Sequence, residues 1–131
     1  KFDKVYCSPL RRAAKLAAFC GYPDAERDNR LIEMSMGSME MVPFSRVPQS
    51  HIDEWYHHYM DIRMPEGEST RQVMERMADF FSELRTKPYH RVAVFYHACA
   101  ILCTRIWLKE LPPTAGFDDV TEVGGFEVVN I

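Results

Sequence analysis

The sequence predicts a three-layer α/β/α domain built on a mostly parallel sheet. Short apolar runs rich in strand formers alternate with helical periods along the chain. One run, residues 91–96 (RVAVFY), stays apolar for five positions without alternating, as buried parallel strands do. Val73, Met77, Phe80, Phe81 and Leu84 recur at helical spacing and mark the clearest amphipathic helix. The 131 residues fit one domain, spanning 1–131, and 47% apolar content is enough for a core without disulfide or metal staples.

In chain order, Val5-Tyr6-Cys7 reads as a strand. Ser8 is the expected N-cap of the following helix, with Pro9 in its first turn. Leu10, Ala13, Ala14, Ala17 and Ala18 set that helix, and Gly21, Tyr22 and Pro23 end it. Residues 22–48, with Pro23, Gly37, Pro43 and Pro48, read as irregular. A helix is expected over residues 50–60, its apolar face being Ile52, Trp55, Tyr56, Tyr59 and Met60. Pro65, Gly67 and Ser69 mark a turn, and Ser69 with Gln72 has the spacing of a capping box. After strand 91–96 comes a largely buried helix over 98–109, carrying Ile101, Leu102, Ile106 and Leu108. Gly124-Gly125 leads into a last strand at 126–131. The predicted order is β-α-loop-α-α-β-α-β, with no repeat and no low-complexity tract.

The formal net charge is −3 and no run of like charge occurs, so a nucleic-acid footprint is not expected. No stretch reaches the roughly 18 apolar residues of a membrane helix, so no membrane partner is expected. No secretory signal is visible. Cys7, Cys20, Cys99 and Cys103 contain no Cys-x-x-Cys pair. They read as reduced thiols in or near the core, as in a cytoplasmic protein.

Two strands end at polar residues that open a helix: Ser8-Pro9-Leu10-Arg11-Arg12 and Tyr96-His97-Ala98. In open α/β sheets ligands lie beyond the carboxyl ends of the strands. Helix N-termini attract anions there, and an arginine fork binds two oxygens at once. Taken singly, Arg11 and Arg12 read as solvated surface residues, His97 as structural and Glu33 as a loop acid. In combination they read as a phosphate site.

Four segments in this order resemble the histidine phosphatase superfamily, the phosphoglycerate-mutase-like family. Residues 5–13 (VYCSPLRRA) resemble its strand followed by S-P-L-x-R-A. Residues 31–40 (LIEMSMGSME) resemble its L-x-E…G-x-W-E segment, residues 65–69 (PEGES) its P-x-G-E-S turn, and residues 92–98 (VAVFYHA) its strand followed by S-H-G. The likeness covers nearly the whole chain. Within the family it is nearest to the α-ribazole phosphatases of cobalamin synthesis, because the spacer from Gly37 to Gly67 is short and holds Trp55-Tyr56.

The resemblance implies a phosphoglycerate-mutase-like fold and phosphomonoester hydrolysis through a phosphohistidine. It assigns Arg12 and His97 to the phosphoryl oxygens and Glu33 to protonation of the leaving alkoxide. Ser8 and Ala98 would present backbone donors, Ser8 equally well acting as a cap alone. No cofactor and no metal is implied. The family's nucleophile lies in an Arg-His-Gly motif after its first strand. None of His51, His57, His58 and His90 stands in such a triplet, so the chain is expected to lack that strand and to be inactive alone. Ala98 and Met39 replace the family's glycine and tryptophan. The expected substrate is a phosphorylated small molecule. The chain then reads either as part of a working phosphatase or as a degenerate relative that binds phosphate without turnover.

Three other classes stay open on the residues alone. Cys99 and Cys103, one helical turn apart and near His97, suit zinc, with core packing as the plainer role. Met34, Met36, Met39 and Met41 suit Cu(I), with gap-filling as the plainer role. An interaction module is the third, in which unpaired strand edges pair two copies into a homodimer.

Overall fold

The first strand, β1 (Lys4–Cys7), lies at the centre of a three-stranded parallel sheet ordered β2-β1-β3. Its neighbours are β2 (Glu26–Arg27) and β3 (Val92–Phe95). The computed structural model describes residues 1–131, the side chain of Phe117 excepted. Four helices accompany the sheet: α1 (Arg11–Phe19), α2 (Gln49–His58), α3 (Thr70–Leu84) and α4 (Ala98–Trp107).

Alternation along the strands sorts the layers. Tyr6 and its register partner Val94 face α3, where the Tyr6 and Phe80 rings meet edge to face at 5.3 Å. The opposite face is taken by α1, which touches β1 and β3 and buries Ala13 and Ala17. This is the expected three-layer arrangement. The main core lies between sheet, α3 and α4, with Leu31, Val73 and Met77 fully buried. All five residues that predicted α3 are buried, and Ser69 and Gln72 close the capping box in both directions. A second apolar cluster joins Leu102 and Ile106 of α4 to Ala115.

The structure corrects several expectations. Ser8 does not cap α1. Helix α1 starts at Arg11, with Leu10 as its extended N-cap. Ser8 Oγ instead accepts the Leu10 N–H at 3.2 Å. The stretch 22–48 contains the strand β2, paired through Tyr6 with Glu26 and Cys7 with Arg27, and three short 3-10 turns. Helix α2 runs Gln49–His58 rather than 50–60, and Trp55 is its one buried residue. Strand β3 is half-buried rather than buried, because among the described residues it pairs on one side only. Cys20 is exposed rather than core, while Cys7 and Cys103 are buried. Residues 126–131 form no strand, as nothing among the described residues pairs with them.

Backbone contact locks two of the resembling segments together. A Cβ on Gly37 would fall on the carbonyl oxygen of Pro65, and one on Gly67 would lie 2.6 Å from the Ser35 oxygen. Glycine is required at both positions for the two turns to touch.

Candidate active site

The carboxyl ends of β1 and β3 leave the sheet side by side, tied by Ser8 N–H to the Phe95 carbonyl at 2.8 Å. Each then opens a helix, α1 and α4. The rim between them gathers the residues singled out from the sequence.

Ser8 and His97 are both buried, and His97 Nε2 lies 2.8 Å from Ser8 Oγ. Burial, followed by the positive charges of Arg12 and Arg76, pushes the His97 pKa down to about 4. The imidazole is therefore neutral at neutral pH. Since Ser8 Oγ already accepts from Leu10, its hydroxyl proton suits Nε2 as acceptor. A ring accepting at Nε2 carries its own proton on Nδ1. Arg12, in the first turn of α1, is exposed and sends its charge onto this ring.

Glu33 sits at the start of α4. Its Oε1 accepts the N–H groups of Met34 at 2.9 Å and Ala100 at 3.1 Å, and its Oε2 accepts that of Cys99 at 3.1 Å. The helix N-terminus expected to receive an external anion is thus engaged by an acid of the chain itself. His97 is the N-cap of α4 without a side-chain cap, so the Glu33 oxygens supply the capping it lacks. Ala98 is the first residue of α4 and is half-buried beside this cap.

Sequence reasoning missed Arg76. From α3 its Nη1 donates to the carbonyls of Arg30 and Ile32, both at 2.7 Å, and its Nη2 to that of Glu33 at 3.2 Å. Two further bonds of 2.9 Å reach the Glu68 carboxylate. Glu68 in turn accepts the Ser35 N–H at 2.9 Å. These bonds to Arg76 and Ser35 outweigh the cost of burial and hold the Glu68 carboxyl below its usual range. Arg76 therefore fixes the backbone from which Glu33 projects. The signal was in the sequence: an arginine between Val73 and Met77 lies next to the buried stripe of α3, where a lone charge needs partners.

Ser8, Arg12, Glu33 and His97 are thus brought to one rim of the sheet, with Arg76 beneath. Among the described residues no three His, Cys, Asp or Glu side chains gather as a metal site. Burial pushes the Cys99 and Cys103 thiols up to about 12, so both are neutral thiols. No helix of the described residues is long and apolar enough to cross a membrane.

A profile of the histidine phosphatase superfamily (branch 1) matches residues 1–126. No curated protein sequence matches the chain. Among solved structures, the alpha-ribazole phosphatase of Shigella flexneri superposes with a TM-score of 0.77 at 21% identity, over 93% of this chain and 64% of that one. A mycobacterial glucosyl-3-phosphoglycerate phosphatase, solved with inorganic phosphate, gives 0.72 at 21% identity, over 86% of this chain and 61% of that one. An open reading frame of Mycobacterium tuberculosis gives 0.68 at 26% identity, over 86% and 58%. The chain spans less than two thirds of the length of each of these proteins. These likenesses establish a common fold, and with the profile match over nearly the whole sequence they place the chain in the histidine phosphatase superfamily, branch 1.

Proposed function

We propose that the rim binds the phosphoryl group of a small phosphomonoester, and that its residues serve hydrolysis through a phosphohistidine. Arg12 and His97 hold the phosphoryl oxygens. The arginine fork supplies charge and the neutral ring supplies a directed N–H. Ser8 is a positioning residue that fixes the ring through Nε2. Ala98 offers backbone at the start of α4. Glu33 is assigned the proton for the leaving alkoxide by its place in the motif. It also holds the start of α4 through both oxygens, so Glu33→Gln removes the acidic proton and also one acceptor of that cap, because an amide nitrogen cannot accept an N–H. The observation that carries this reading is a buried neutral imidazole 2.8 Å from Ser8, flanked by the charges of Arg12 and Arg76.

The 131 residues hold no Arg-His-Gly triplet, so they are proposed to bind phosphate without turning an ester over. Inorganic phosphate titrated into the chain should shift the ring signals of His97, and Arg12→Ala should abolish the shift. An unchanged His97 spectrum at millimolar phosphate sinks the assignment. Hydrolysis of p-nitrophenyl phosphate by pure chain, lost on His97→Ala, would contradict the claim of inactivity. The α-ribazole 5′-phosphate assignment, and with it a cytoplasmic role in cobalamin synthesis, is supported by the short Gly37–Gly67 spacer and the likeness to the Shigella flexneri enzyme.

A second reading, association with another copy, is favoured by the one-sided pairing of β3 and the exposed Val123, Phe126 and Val128. Light scattering on the eluting chain tests it: a monomer mass across the micromolar range removes it.

A further inference from the structure

The structure divides the methionine-rich stretch 34–41 into two parts. Met34 is buried in the main core, whereas Met36, Met39 and Met41 line a cavity of about 190 Å³ together with Met64. The backbone explains how Met64 joins them. Met36 caps the 3-10 turn Gly37–Met39, and the Met39 N–H donates to the Met36 carbonyl at 3.0 Å. Residues three apart in such a turn lie one above the other, so Met36 and Met39 share a side. The Ser38 N–H donates to the Pro65 carbonyl at 2.9 Å, and the Gly67 N–H to that of Met64 at 2.8 Å. The contact between the turns at Gly37 and Gly67, which neither could make with a Cβ, thus brings a fourth thioether to the same cavity.

Packing accounts for only part of this cluster. Met64 is buried, and Met36 and Met39 rest against the main core, as gap-filling methionines do. Met41 does not: it is 97% exposed, and its φ of 60° lies in the left-handed region that a side chain disfavours. A methionine held there buries nothing, and backbone of this kind recurs at ligand clamps. Val42, Phe44 and Val47 make the rest of the wall apolar. Glu40 brings an acid to it, its Oε1 accepting the Met36 N–H at 2.8 Å. Uncharged sulfur donors, an apolar wall and one acid suit a soft monovalent cation, whereas Zn(II) and harder ions take nitrogen, thiolate or oxygen ligands. We propose that Met36, Met39, Met41 and Met64 bind Cu(I) in this cavity, with Met41 as the ligand on the solvent side. The site shares no residue with the rim and does not rest on the phosphatase reading.

The test adds Cu(I) to the 131-residue chain, kept reduced by ascorbate without oxygen, in competition with bicinchoninate. Thiols also take Cu(I), so the exposed Cys20 is replaced by Ser throughout, and methionine methyl NMR signals report where the ion sits. The chain should retain one equivalent against the chelator. The methyls of Met36, Met39, Met41 and Met64 should shift, while those of Met74 and Met77 in α3 stay in place. Met41→Leu conserves volume at an exposed position, so its urea midpoint should equal that of the parent. Its retention of Cu(I) should fall at least about tenfold, the loss that follows removal of even an outer partner of a metal site. Met36→Leu combined with Met39→Leu should abolish retention. Transfer of all the Cu(I) to bicinchoninate overturns the proposal. So does retention with the four methyls unmoved, which would place the ion on thiols. Zn(II) shifting the same methyls to the same extent, or undiminished retention in Met41→Leu, overturns it as well.

Discussion

Residues 91–96 and residues 126–131 are written in the same kinds of residue, yet only the first stretch contains a strand. Val92–Phe95 pairs with Lys4–Cys7 along its whole length, and Val92, Val94 and Tyr96 rest against the main core. In the second stretch, Phe126 and Val128 stand 84% and 81% exposed. The difference teaches that a β-branched, aromatic run is a request for a partner and not a strand in itself. The strongest way to break the comparison is to remove what β3 rests on. Phe81 is buried in α3 and its ring meets those of Phe80, Tyr96 and Trp107. Phe81→Ala should cost about 3–5 kcal/mol, read as a lower urea midpoint at unchanged slope. A loss below about 1 kcal/mol would show that β3 owes its order to something else.

Nearly as large an effect is expected where α3 holds the rim. Arg76→Met leaves three backbone carbonyls and the Glu68 carboxylate without their donor. The expected cost is about 3 kcal/mol, the low end of the range for removing one partner of a buried pair, since both side chains keep some exposure. Arg76→Lys should not restore it, because an ammonium cannot span the fork that reaches carbonyls and carboxylate together. Hydrogen exchange at Met34, Cys99 and Ala100 should quicken in both variants, since those N–H groups depend on where Glu33 stands. Unchanged exchange there would detach Arg76 from the site.

The same contrast explains what was legible in the sequence. Helix α3 could be read because its apolar stripe and capping box are local signals, and the Ser69–Gln72 exchange is formed as spacing suggests. The rim could be read because motif order placed Arg12 and His97 just past strand ends and Glu33 in its own loop motif between them. The two-residue β2 could not, being too short for any period and defined wholly by its pairing with Tyr6 and Cys7. The role of Ser8 was misread because the partner that engages its hydroxyl, His97, lies 89 positions away and leaves no local signal. Arg76 was passed over because its partners are carbonyls 43 to 46 positions away. Long-range hydrogen bonds to backbone leave no trace in composition or periodicity.

The end of β3 carries a buried titratable ring, His97. The folded His97 pKa, about 4, lies below the ordinary histidine value of 6.5, so the unfolded chain binds this proton first. Stability due to the neutral ring is therefore complete above pH 6.5 and is lost as pH falls towards 4, by about 3 kcal/mol across the window. Glu68, Asp28 and the other carboxyls whose pKa is lowered add their losses only as the pH falls through their ordinary values of 4.5 and 3.8. The upper part of the slope therefore belongs to His97. Denaturant midpoints at pH 7 and 5 should differ in the parent chain and converge in His97→Gln. A parent chain with equal midpoints would place the ring in water, away from Ser8.

The smallest effect is expected in the tail, and it is the one that sharpens the comparison most. Phe126 is large and apolar, as Phe81 is, but it is exposed and joins neither apolar cluster. Phe126→Glu should change the unfolding free energy by less than about 0.5 kcal/mol, because exposed ring surface contributes little to the folded state. Its consequence should lie in solubility, since removing an exposed ring and adding a charge both disfavour association. A stability loss of 2 kcal/mol or more, roughly the scale of a buried apolar side chain, would mean that the tail is packed in solution. In that event the two stretches would differ in which partner they find and not in whether they find one. The exposed side of β3, paired only with β1, would then be the first place to look for that partner.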